Sequence, residues 1–137
     1  MTSISFDDAV RRSVQNDPRF HPAAYELVRD ALHIASKKFR DEKDDDQHVT
    51  GQELLAGFRD HILCEYGPLS LMILDLWGVH RGEDVGSIVY NLINVGYFGK
   101  NDGDSIEDFA GGYDFQSAFT DPFLPSSARS GKEAHSS

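Results

Sequence analysis

The chain has 137 residues, a length that allows one compact domain burying roughly two-thirds of its unfolded surface and leaves no room for a second domain of ordinary size. Its formal net charge is −10, unevenly placed: 13 acids stand against 9 bases up to Leu74, 9 against 2 from Asp75 to Leu124, and 1 against 2 beyond. A surface this acidic repels the phosphates of nucleic acid and of anionic membrane, which turns the expectation toward protein or small-molecule partners.

Cys64 is the only cysteine, so an intrachain disulfide framework is excluded. The start MTSISFDDAVRR lacks the apolar run of a secretory signal, and no stretch approaches the ~18 apolar residues of a membrane span. A cytoplasmic location, with no membrane partner, is the simplest expectation.

Along the chain, Ser5 reads as an N-cap, with Phe6, Ala9, Val10 and Val14 at helical spacing behind it and Asp7 and Asp8 in the favoured first turn. This first helix should stop near Asp17-Pro18. Pro22 opens a longer helix with Ala24, Val28, Ala31, Leu32, Ala35 and Phe39 on one face. RDEKDDDQH, from Arg40 to His48, reads as a solvated helix end and loop. Thr50 and Glu53 form a capping-box pattern that predicts a third helix from about Gly51 to Tyr66, with Leu54, Leu55, Phe58 and Ile62 inward.

After Gly67-Pro68, the run LSLMILDLW is apolar almost all round and predicts a short helix at the centre of the fold. Val85, Ile88, Val89, Leu92 and Ile93 mark a fifth helix ending at Gly96. Asp102-Gly103 then suggests a small hairpin, or alternatively a helical turn begun by Ser105, within about residues 97–109. Phe109, Tyr113, Phe115, Phe119 and Phe123 place five aromatics in fifteen residues, and the tail 125–137 carries nothing to bury, so disorder is expected there.

The candidate chemistries each meet an obstacle. The third, fourth and fifth helices with a hairpin have the order of a winged helix-turn-helix, but no Lys or Arg lies between Gly82 and Gly96 to read bases or hold phosphates. A calcium loop centred on Gly103 would need acidic ligands where Phe98, Lys100 and Phe109 stand. His61, Cys64 and His80 could form part of a zinc site, yet no second cysteine accompanies them, and a lone helical cysteine reads as a small buried residue. Asp30, His33 and Lys37 share a helix face at ion-pair spacing rather than in any catalytic motif. No cofactor, metal or catalytic residue is therefore predicted.

The segments FDDAVRRSVQNDPRFHPAAYELVRDAL, HVTGQELLAGFRDHILCEYGPLSLMILDLWGV, DVGSIVYNLINVGYFGKNDGDSIEDF and YDFQSAF together resemble a family of small uncharacterised proteins restricted to planctomycete and verrucomicrobial bacteria. The resemblance spans about Phe6 to Phe119. It implies a bacterial cytoplasmic domain of one layout and supplies no catalytic residue.

The expected protein is thus mostly α: a single compact five-helix domain over residues 1–124, winged-helix-like in its second half, with a disordered tail. The expected function is that of a non-enzymatic protein-binding or adaptor module, with a nucleic-acid-associated regulator as the alternative. Exposing five aromatics would create an adhesive patch, so Phe109, Tyr113, Phe115, Phe119 and Phe123 should dock back on the helices, with some left partly exposed as the partner-binding surface. Docking in trans would make a homodimer instead.

Overall fold

The computed structural model describes residues 4–39, 50–98, 109 and 113–123. Helix α1 (Phe6–Asn16) starts where the Ser5 hydroxyl accepts from the Asp8 amide and stops at Asp17, whose own amide caps the Ser13 carbonyl. Helix α2 (Pro22–Phe39) opens on its proline and buries Ala24, Tyr25, Leu27, Val28, Ala31 and Ala35. Helix α3 (Gly51–Tyr66) carries the full capping box, with Thr50 and Glu53 each satisfying the other's backbone amide.

A 3-10 turn, Gly67–Leu69, leads into α4 (Ser70–Leu76), and α5 (Gly82–Asn94) follows. These five main helices have the order that the spacing predicts, with α5 ending at Asn94, two residues before Gly96, and α4 confined to Ser70–Leu76; no strand occurs among the described residues. A sixth helix, α6 (Phe115–Thr120), arises in the aromatic segment, where the Asp114 carboxylate accepts from the Ser117 amide. The loop RDEKDDDQH, the hairpin or turn around Lys100 to Ile106, and the tail 125–137 lie outside the described residues.

One hydrophobic cluster holds these helices together. Its largest fully buried members are Tyr25, Phe58, Phe119, Leu55, Ile62, Leu74, Ile88 and Leu92, drawn from α2 to α6. The most extensive packing is that of α2 against α3, so the expectation that LSLMILDLW forms the middle of the fold is corrected. Within α4 only Ser70 and Leu74 are buried. Leu69, Met72 and Leu76 are 52%, 55% and 74% exposed. Cys64, expected to be a small buried side chain, is also exposed.

A polar junction ties the end of α1 to α2 and α5. The Asp17 carboxylate takes two hydrogen bonds from the Arg19 guanidinium, both 2.8 Å, and one of 3.0 Å from the Asn91 amide, which also donates to the Tyr25 hydroxyl at 3.0 Å. The Arg19 hydrogen bonds hold the Asp17 carboxyl far below the usual carboxylate range, against the opposing effect of burial. Burial pushes the Tyr25 phenol up, partly offset by Asn91.

The sign of the resulting pH dependence follows from the depressed Asp17 value. Its contribution is present above the unfolded carboxyl value of about 3.9 and is lost as the pH falls toward the folded value. The stability gap between the wild type and Asp17→Asn should accordingly be wide at neutral pH and narrow progressively in acid. Urea titrations of both proteins at a series of pH values check this; a gap independent of pH would mean that the junction does not favour the ionised carboxylate.

Candidate functional site

The exposed face of α4 follows from how that helix is anchored. Ser70, the one hydroxyl in an apolar run, is fully buried with its single O–H shared between the Gly67 carbonyl at 2.6 Å and the Ile62 carbonyl at 3.2 Å, tying the start of α4 to the end of α3. Leu74 enters the core one turn later. At the far end Trp77 is half-buried, its ring stacked on His21 at 5.9 Å and meeting Tyr66 edge-on at 5.8 Å. With Ser70 and Leu74 turned inward, Leu69, Met72 and Leu76, spaced i, i+3, i+7, face outward as one stripe.

Beside this stripe an open groove of about 690 Å³ runs between α4 and α6. Buried Val79 and Phe115 and half-buried Leu71 supply its apolar lining, and Met72 belongs to both groove and stripe. Asp75 and Asp114 lie on its rim with His80, whose ring nitrogen stands 3.2 Å from Asp75. Among the described residues no Lys or Arg lines it. Of the pair, Asp114 is committed to capping α6, whereas Asp75 is 73% exposed.

The five aromatics singled out in the sequence are brought together, mostly inside. Phe109, Phe115 and Phe119 are buried, which removes them from the expected partner-binding surface. The rings of Phe115 and Phe119 meet edge to face at 5.2 Å, Tyr113 stacks on Phe115 at 5.6 Å, and Phe58 of α3 lies 6.4 Å from Phe115. Tyr113, half-buried, donates its hydroxyl to the Leu55 carbonyl at 2.7 Å, and burial pushes its phenol well above the usual range. Only Phe123 is exposed, at 43%.

Phe109 owes its place to two glycines of α5. A Cβ on Gly82 would stand 2.4 Å from the Phe109 carbonyl oxygen, and one on Gly86 would stand 2.7 Å from its ring. The bare backbone of α5 is what admits the aromatic.

The other candidates separate. His61 lies 3.8 Å from Asp30, His80 pairs with Asp75, and Cys64 is exposed; among the described residues no three His, Cys, Asp or Glu gather to hold a metal. Asp30 pairs with Arg29 on its own helix, and His33 joins them around a shallow groove, while Lys37 is exposed. A further groove of about 450 Å³ between α1 and α2 is lined by Phe6, Val10, Val14 and Pro22 with Asp7, Arg11, Gln15 and Glu26 of mixed charge and polarity. Among the described residues no helix is long and apolar enough to cross a membrane.

The outward stripe of α4 was missed in sequence because hydropathy alone cannot say which side of an all-apolar helix finds neighbours. Its signal was the i, i+3, i+7 spacing of Leu69, at the end of the preceding 3-10 turn, with Met72 and Leu76 on a helix too short to bury every side. The sequence matches no protein-family model, and no curated protein or solved structure shows significant similarity to it.

Proposed function

We propose that this chain is a non-enzymatic protein-binding or adaptor module acting in the cytoplasm, and that α4 carries its docking surface. The observation behind this reading is the unpartnered stripe of Leu69, Met72 and Leu76 alongside the groove between α4 and α6. Large apolar side chains gathered on one face, rimmed by carboxylates, characterise interaction surfaces. The nucleic-acid alternative is disfavoured by α5, which has no Lys or Arg and buries Gly82, Asp84, Val85, Gly86, Ser87, Ile88 and Leu92 where a reading helix would turn polar groups outward. We also propose, from the resemblance of its segments, that the chain belongs to the planctomycete and verrucomicrobial family, which adds no activity to this reading.

A photo-crosslinker at position 76 in native lysate tests the assignment. It should capture a protein partner, and Leu69→Ser/Met72→Ser with the crosslinker kept at position 76 should abolish the capture. Because these side chains are exposed, the stability should change little, by no more than the ~0.5 kcal/mol common for surface substitutions. Capture that survives the substitution, or that occurs equally from a crosslinker at Gln15, would move the surface elsewhere.

A further inference from the structure

Resting on the docking surface just proposed, we infer that its occupant is a basic amphipathic helix of another protein, laid against α4 with its apolar anchors on the stripe and in the groove and its cations over the carboxylate rim. The form of the occupant follows from what the surface offers. Leu69 to Leu76 spans seven residue steps, about 10 Å at the rise of an α-helix, so a helix alongside it presents anchors at i, i+4 and i+7 over the same two turns. Strand addition needs an open sheet edge, and the described residues contain no strand.

The charge of the occupant follows from the rim. Asp75 and Asp114 border the groove, no Lys or Arg lines it among the described residues, and the stretch from Asp75 to Leu124 holds 9 acids against 2 bases. A partner bearing Lys or Arg beside its apolar face is steered in and relieves this repulsion. A second copy of the chain does the reverse, since a two-fold contact on this face brings a second Asp75 and Asp114 toward the first pair. The same argument disfavours an acidic peptide.

The test uses the full chain and synthetic peptides of about 15 residues, capped at both ends, with leucines at i, i+4 and i+7 among lysines. A twin carries Glu in place of every Lys, and a third version has proline at its centre. In anisotropy titrations the lysine peptide should bind about tenfold or more tightly than its glutamate twin at low salt, with the ratio shrinking as salt is added. Asp75→Lys/Gln116→Lys should erase or invert that preference; both positions are exposed, and the Asp114 cap is left in place.

Equal affinity for the two peptides, or a preference untouched by the charge reversal, overturns the basic partner while the docking surface stands. Undiminished binding by Met72→Ser/Leu76→Ser overturns the surface and the inference together. A proline peptide that binds as well as its parent, or no binding by any peptide, overturns the helical occupant. A wild-type dimer in sedimentation that Met72→Ser/Leu76→Ser dissolves makes the occupant a second copy, which also overturns the inference.

Discussion

Replacing Phe119 by alanine is expected to lower the stability by about 3–5 kcal/mol, a large part of the roughly 5–15 kcal/mol that holds an ordinary domain together. Its ring is 1% exposed and packs edge-on against both Phe115 and Tyr113, at 5.2 and 5.9 Å. Truncation would remove both its buried area and those ring contacts, and leave a cavity beneath α6. Phe123, 43% exposed, supplies the contrast: its alanine variant should lose about 1 kcal/mol or less. Urea denaturation of the two variants beside the wild type reads the difference. Similar small losses from both would mean that α6 is an appendage rather than a wall of the core.

Gly78→Ala should cost about 3 kcal/mol or more, for two reasons that add. The glycine has φ +85°, a left-handed conformation that disfavours any side chain. Its missing Cβ would also stand 2.1 Å from the carbonyl oxygen of Arg19, in the turn between α1 and α2. Those two turns are locked together at that point, since the His21 amide donates to the Trp77 carbonyl at 3.1 Å. Gly96 isolates the backbone effect: its φ is +88°, but no described residue lies within 4 Å of an added Cβ, so Gly96→Ala should cost only about 1–2 kcal/mol. Thermal melts of both variants check the comparison. Equal losses would show that the close approach of the turns is no constraint.

The parts of the fold that could be read in advance are those governed by local chemistry. Ser5 and the Thr50–Glu53 pair start helices because their side chains reach amides three residues away, and Pro22 opens a helix because its missing donor is not needed there. The return of the aromatic segment onto the helices was legible too, since five rings left in water would be costly. Its helical form was within reach: Asp114 is a good cap and Phe115 and Phe119 repeat at i+4.

Long-range choices were not legible. Gly82 and Gly86 announce a bare stripe on α5, but nothing in their spacing names Phe109 as the side chain that fills it. The junction of Asp17, Arg19, Tyr25 and Asn91 joins residues more than sixty positions apart. The same limit hid the candidate site, because α4 and a truly central helix have the same composition and differ only in where α2, α3 and α6 leave room.

The pairing of Phe58 with Phe115 and of Leu55 with Tyr113 also has a consequence for the order of assembly. Helices α2 and α3 are neighbours in sequence and can pair as soon as both have been made; Leu55 also packs against Gly82 of α5, whereas the contacts of Phe58 with Phe115 and of Leu55 with Tyr113 need residues synthesised almost sixty positions later. A chain emerging from the ribosome therefore carries an uncovered apolar flank until its aromatic segment is free to fold back. Those contacts cannot close before Phe115 has been made, so a pause in translation ahead of it would prolong the interval in which the nascent chain can associate wrongly.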